Sequence, residues 1–183
     1  MEASQLEHVN HKYNTNVPLV LMSSFNTDKV TDEVMSKHIA RGLNVSSFTQ
    51  RKLPRMNKDE TLVTATYASS ESNWYPPGPG DVYEMLQESG KLDEFMNQGI
   101  EIVFIAEIEN LGAKVDARIA DYMLKNNVDY VMEVSSALSG NENVVIRRQG
   151  ALETVHSAQV AKSHREELAD KEKFPLRNTN NIW

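Results

Sequence analysis

Glu107 and Glu109 stand two residues apart, directly after the apolar run Ile102-Val-Phe-Ile-Ala106. On a strand, side chains at i and i+2 share a face. Two carboxylates on one face could hold a divalent cation, which would neutralise phosphate oxygens. The other reading is an exposed, solvated strand end. A second candidate is the loop Tyr75-Pro-Pro-Gly-Pro-Gly-Asp81. Gly78 and Gly80 carry no side chain, so backbone amides there could approach a planar base or a phosphate. The alternative is a rigid connector. His8 and His11 could meet on one helical turn, but no third metal ligand is indicated. No Gly-x-Ser-x-Gly elbow, P-loop or Gly-x-Gly-x-x-Gly occurs, so nucleophilic catalysis has no support.

The elements that must position these residues alternate short apolar runs with amphipathic stretches. That pattern predicts βαβ units and a largely parallel sheet, an α/β fold. Val17 to Met22 reads as a buried strand, and Thr31 as the cap of a helix from Glu33 to Arg41. Val45 to Phe48 reads as a second strand, and Arg51 to Trp74 as mostly irregular. Asp81 can cap a helix from Val82 to Leu86, with a further helical turn or two at Leu92 to Met96. Ile102 to Ala106, apolar on both faces, reads as a central parallel strand. Val115 to Leu124 reads as a helix and Tyr130 to Val134 as a strand. Asn141 to Asn143 separates that strand from another at Val144 to Arg148. Gln149-Gly150 predicts a hairpin turn into Leu152 to Val160. Lys162 to Lys171 reads as an exposed helix, and Asn178 to Asn181 as a turn. A chain ending in Ile182-Trp183 straight after a turn is expected to continue into another element; the other reading is a terminus that packs back on the core.

At 183 residues the chain suits one domain or most of a larger one. Its 26 acidic against 19 basic residues give a net charge of -7, which disfavours nucleic acid and anionic membranes as partners. The absence of cysteine excludes disulfides, thiolate catalysis and zinc–thiolate sites. No apolar run is long enough to cross a bilayer, and Met1 to His11 lacks the apolar core of a secretory signal. A cytoplasmic location is the default expectation.

Four segments, in this order and spacing, resemble the eukaryotic UTP–glucose-1-phosphate uridylyltransferases, or UDP-glucose pyrophosphorylases. They are Asn16 to Lys29 (NVPLVLMSSFNTDK), Trp74 to Glu84 (WYPPGPGDVYE), Glu109 to Ala117 (ENLGAKVDA) and Asn178 to Trp183 (NTNNIW). The resemblance runs from about Tyr13 to Trp183. It implies a Rossmann-like nucleotidyltransferase fold with a mixed, mostly parallel central sheet, of which residues 1–183 form a partial domain. It further implies that a Gly-rich triphosphate loop with its lysine and the first central strand would precede Met1. A second lysine and a β-helix domain would follow Trp183. Neighbouring strands would then expose unpaired edges.

The family joins UTP and glucose 1-phosphate to give UDP-glucose and pyrophosphate, with Mg2+. The sugar phosphate attacks the α-phosphorus directly, so positioning and charge neutralisation carry the catalysis. By resemblance, Gln50 reads uracil, Gly78 contacts the base through its backbone, and Pro79 lies at the nucleotide. Glu107, Asn110, Gly112, His156 and Asn180 lie at the sugar, and Glu109 lies at Mg2+. Several positions depart from the family pattern. Pro79 replaces a histidine and removes a donor. Glu107 and Glu109 replace asparagine and aspartate, and Glu107 puts a charge beside the sugar phosphate. His156 replaces a glucose-binding glutamate, and Leu138 to Asn143 shows no counterpart of a Lys-Gly-Gly stretch. Three functions follow as expectations. One is a uridylyltransferase-like chain inactive by itself. Another is a pseudoenzyme that binds its own copy or a full-length relative. The last is a UDP-sugar binder without turnover.

Overall fold

The computed structural model describes residues 2–63, 71–136 and 143–183. Of the predicted separator at Asn141 to Asn143 only Asn143 lies among them, and Leu138 to Glu142 lie outside. The chain forms two compact units, Met1–Glu101 and Ile102–Trp183.

The first unit opens with helix α1 (Glu2–Tyr13). Ala3 and Leu6, one turn apart, are buried with Leu43 against Leu19 and Val45, so this polar-looking segment has a narrow apolar stripe. Strand β1 (Leu19–Ser23) pairs in parallel with β2 (Val45–Thr49), from Leu19 opposite Val45 to Ser23 opposite Thr49. The crossover between them carries helix α2 (Asp28–Ile39), as a parallel connection requires. That helix starts earlier than Thr31 predicts. Thr27 is its N-cap, but makes no side-chain cap. The Thr27 hydroxyl instead accepts the Ser24 N–H at 3.1 Å, closing the turn after β1.

Two short strands, β3 (Leu53–Pro54) and β4 (Trp74–Tyr75), pair antiparallel within the stretch read as irregular. A 3-10 turn (Pro79–Asp81) leads into α3 (Val82–Glu88), and α4 (Lys91–Asn97) follows with Phe95 buried.

In the second unit, the apolar run Ile102 to Ala106 does not form a central parallel strand. Its one ladder contact is an antiparallel bridge, Ile105 to Ile182, with N–H···O distances of 2.8 and 2.9 Å. Phe104 stacks on Trp183 with ring centroids 4.3 Å apart, so part of this run is satisfied by side-chain packing. Helix α5 (Ala117–Asn126) is capped by Asp116, whose carboxylate accepts the Arg118 N–H at 2.9 Å. A four-stranded antiparallel sheet follows in the order β5-β8-β6-β7. Its strands are β5 (Met132–Ser136), β6 (Val144–Arg148), β7 (Ala151–Val155) and β8 (Leu176–Ile182).

Gln149 and Gly150 at φ 51° and 90° make the two-residue hairpin between β6 and β7. The predicted long strand to Val160 stops at Val155, because His156 caps a 3-10 turn. The predicted exposed helix at Lys162 to Lys171 contracts to a 3-10 turn and a single helical turn, α6 (Arg165–Leu168). Asn178 to Asn181 is not a turn but part of β8, an inner strand of this sheet.

Among the described ladders, only β1–β2 is parallel. The expectation of a mostly parallel sheet is therefore met by one strand pair. Of the antiparallel pairs, β6–β7 is closed by a two-residue turn, whereas β5–β8 and β6–β8 join strands far apart in the chain. No helix among the described residues is long and apolar enough to cross a membrane.

Candidate functional site

Two groups of the predicted residues are brought together, one in each unit. In the first unit, Gln50 follows β2 and Gly78 lies in the Pro–Gly loop. The Gly78 N–H donates to Gln50 Oε1 at 2.8 Å. Only the amide oxygen can accept from an N–H, so this bond orients the side chain. Gln50 Nε2 is turned away from that bond and donates to nothing among the described residues. Gly78 adopts φ 106° and ψ -170°, which a residue with a Cβ rarely reaches. An added Cβ would meet nothing within 4 Å. Glycine is thus demanded by the backbone angle, and the face above it is open.

Pro79 occupies the first position of the 3-10 turn, where its missing N–H and fixed φ suit the geometry. It is exposed and offers no donor.

The loop is held by a device that sequence reading missed. Asp81 takes the N-cap position of α3 but makes no side-chain cap. Its carboxylate faces Arg51 instead, accepting the backbone N–H at 2.8 Å and Nε–H at 2.7 Å, with Nη2 at 2.5 Å completing the ion pair. Arg51 Nη1 also reaches Glu84 at 2.5 Å. The Asp81 side chain is wholly buried, whereas that of Arg51 is 40% exposed. Burial pushes the Asp81 carboxyl up, but the Arg51 hydrogen bonds and charge together hold it below the ordinary carboxylate value. Consecutive residues Gln50 and Arg51 therefore clamp the two ends of Gly78 to Asp81. Next to them, Lys52 Nζ lies 4.6 Å from the Phe25 ring and 5.4 Å from the Trp74 ring, a cation–π arrangement.

In the second unit, Glu107, Asn110, Gly112 and Asn180 form one hydrogen-bonded group. Asn180 Nδ2 donates to Glu107 Oε1 at 3.0 Å. Asn110 Nδ2 donates to Asn181 Oδ1 at 3.1 Å, and Asn110 Oδ1 accepts the Gly112 N–H at 3.1 Å. A Cβ on Gly112 would stand 3.3 Å from that same oxygen, a tight contact that the Asn110 side chain would have to yield to.

Asn180 has φ 60°, a left-handed angle inside a strand, and asparagine tolerates it better than most residues. Its amide oxygen accepts from Asn178 Nδ2 at 2.9 Å. The anchor of the group is Glu133 on β5, another residue the sequence reading missed. It accepts from Asn181 Nδ2 at 2.7 Å, and its backbone carbonyl accepts from the Thr179 hydroxyl at 3.2 Å. The β5–β8 register shifts between Met132 and Val134, around Glu133. Such irregularities re-aim side chains.

Glu107 and Glu109 lie in a turn rather than on a strand: Glu107 O accepts from Asn110 N at 2.9 Å and Glu109 O from Leu111 N at 3.1 Å. The i, i+2 rule for strands therefore does not pair them. Glu109 is exposed, and its carboxylate bonds to nothing among the described residues. Among those residues no group of three or more His, Asp or Glu stands ready to hold a metal. His156 is exposed, and its Nδ1 accepts the Ala158 N–H at 3.1 Å. Its bonding is local to the turn after β7.

A groove of about 120 Å³ between α2 and the β1–β2 ladder, lined in part by Leu21, Met35 and Ile39, is smaller than the few hundred Å³ usual for ligand sites.

A family model described as UTP–glucose-1-phosphate uridylyltransferase matches residues 1–183. The chain is 41% identical to a probable UTP–glucose-1-phosphate uridylyltransferase of Schizosaccharomyces pombe and 39% identical to the Saccharomyces cerevisiae enzyme. All of this chain is covered in both cases, and 37% of each relative. It is similar to the crystal structure of a Trypanosoma brucei UDP-glucose phosphorylase (TM-score 0.81, 31% identity, 99% of this chain and 41% of that one). A Leishmania major UDP-glucose pyrophosphorylase variant in complex with UDP-glucose superposes with TM-score 0.81 at 28% identity, over 99% of this chain and 42% of that one. The chain thus spans less than half the length of these relatives.

Proposed function

Since this chain belongs to the UTP–glucose-1-phosphate uridylyltransferase family, we propose that its first unit seats the uracil end of a uridine nucleotide and its second unit a glucose moiety, and that alone it turns these ligands over weakly or not at all. Residues 1–183 then form part of one nucleotidyltransferase domain, with UTP, glucose 1-phosphate or UDP-glucose as ligands. In the family reaction, a phosphate oxygen of glucose 1-phosphate bonds to the α-phosphorus of UTP and pyrophosphate leaves.

The observation that carries the reading is the Gln50–Gly78 hydrogen bond. It fixes the Gln50 amide with two N–H groups turned away from it. Those groups match a uracil carbonyl, beside a glycine with an open face. In the second unit, Glu107, Asn110 and Asn180 present carboxylate and amide groups of the kind that bind sugar hydroxyls.

The expectation of weak turnover rests on the phosphate side. Pro79 cannot donate to a phosphate. Glu107 brings a negative charge near the sugar group, and its Oε1 is engaged by Asn180. Arg51 is committed to Asp81 and Glu84. Glu109 is the residue that would hold Mg2+. A single exposed carboxylate fits this ion when substrate phosphates complete the shell, and the bound ion would neutralise phosphate charge.

Calorimetry with UDP-glucose and ADP-glucose tests the binding. UDP-glucose should bind at least about tenfold more tightly, the value of one or two uracil-specific hydrogen bonds. Equal binding, or silence from both at millimolar ligand, refutes the uracil seat. A pyrophosphate-release assay tests turnover, and a rate in the ordinary enzymatic range of about 1 to 10³ s⁻¹ would refute the second half of the proposal.

One observation favours a second reading, an interaction module that pairs with its own copy or a full-length relative. Helix α2 buries no residue, and Val30 and Val34 on it are 62% and 48% exposed. Light scattering decides this, because a strictly monomeric chain alone and mixed with a full-length relative removes the reading.

A further inference from the structure

Arg177 is the most deeply buried charged residue in the described structure, at 0% exposure. It lies on β8, opposite Ser135 on one neighbouring strand and Val144 on the other, both neutral. Its Nη1 donates to the carbonyls of Phe174 and Leu176, the latter at 3.2 Å. Its Nε and Nη2 have no partner among the described residues. A guanidinium stays protonated in proteins, so the positive charge cannot be removed by losing a proton. An enclosed, unpaired charge is among the costliest arrangements in a fold. A buried donor without an acceptor calls for a bound group that supplies one.

The identity of the free atoms narrows that group. Nε–H and Nη2–H form one of the two parallel forks by which arginine grips a carboxylate or a phosphate. The two carbonyls on Nη1 hold the guanidinium so that this fork stays turned away from them. A neutral acceptor would satisfy the hydrogen bonds and leave the charge. One oxyanion satisfies both.

We infer that Arg177 is the floor of an oxyanion site in the second unit, taking one small free anion such as inorganic phosphate or formate in a bidentate contact. This does not depend on the nucleotide reading above. Nothing in the uracil seat or the Glu107–Asn180 group uses Arg177. Because the side chain is enclosed, the anion enters when the sheet opens locally, so binding couples to stability.

Calorimetry of the intact chain with inorganic phosphate, at ionic strength held constant with sodium chloride, should show one site per chain. At about a tenfold excess over Kd, phosphate should raise the folding equilibrium constant about 11-fold and the thermal midpoint by a few degrees. Phosphate also stabilises proteins by exclusion from their surface, so the readout is the difference from R177M, which keeps length and removes charge. R177M should show no heat of binding and only the exclusion effect. Should R177M fail to fold, R177K serves, since it keeps the charge without the fork and should bind phosphate at least about tenfold more weakly. Formate should reproduce the effect if the contact is bidentate. Equal midpoint shifts in wild type and variant, or no heat of binding in wild type, would overturn the inference.

Discussion

Asp81→Asn tests whether the Arg51–Asp81 pair holds the candidate base-binding loop. The carboxylate accepts two N–H bonds from Arg51 and pairs with its Nη2, and the substituted amide would keep one oxygen. If that oxygen faces the Arg51 backbone N–H, the new amide NH2 confronts the guanidinium, donor against donors. Breaking a fully buried pair costs about 3–5 kcal/mol, whereas an exposed pair contributes about 0–1 kcal/mol. Here one partner is enclosed, while Arg51 is 40% open to water and retains Glu84. The cost should fall between these limits, at about 2–3 kcal/mol.

The assay is urea unfolding followed by Trp74 fluorescence in a Trp183→Phe background, since the chain has two tryptophans and Trp74 lies on β4. With an ordinary urea dependence of about 2 kcal/mol per molar, the midpoint should drop by about 1 M.

The gap between the two chains must also depend on pH. The folded Asp81 carboxyl sits below its ordinary value of 3.8. Its stabilisation is therefore complete above that value and is lost as pH falls through the lower folded value. The amide of the variant does not titrate, so the gap present at neutral pH should close in acid. A gap below about 0.5 kcal/mol at neutral pH, or one unchanged down to about pH 2, would refute the reasoning.

Three further outcomes are expected. Gln50→Ala removes the acceptor for the Gly78 N–H and the free amide donors together, and should weaken UDP-glucose binding about tenfold by calorimetry while leaving the unfolding of the second unit, followed by Trp183 in a Trp74→Phe background, unchanged. Glu107→Asn keeps an oxygen for Asn180 but removes the charge, and should tighten glucose 1-phosphate binding about tenfold, the effect of one unit charge about 6 Å away at an effective dielectric near 40. The Arg118 hydrogen bonds hold the Asp116 carboxyl at about 2. The helix it caps should therefore keep that support above about pH 4 and lose it progressively as pH falls through about 2. Amide exchange in α5 would report this, and protection independent of pH over that window would contradict it.

Much of the local structure is legible along the chain. The strands at Leu19 and Val45, the helix at Ala117, and the hairpin at Gln149-Gly150 follow from short-range rules of periodicity and turn chemistry. Glu133 is not legible because its partners are Asn181 and Thr179, forty-eight and forty-six positions away. Asp81 reads as a cap because nothing local shows that Arg51, thirty positions earlier, competes for its carboxylate. Asn178 to Asn181 reads as a turn because asparagine-rich sequence usually is one. Here the strand conformation is held by β5, which pairs at Asn178 and Ile182, and by the Asn178 N–H donating to the Asn143 carbonyl.

By itself, the order of residues determined the α/β character, the family and the identity of most candidate ligand contacts. These depend on side-chain type and on neighbours within a few positions. Tertiary structure alone decided which strands pair and in which direction, that Glu107 meets Asn180, and that Arg177 is enclosed with an open fork. Those outcomes depend on loop closure and burial, where two residues far apart in the chain compete with water for the same hydrogen bonds.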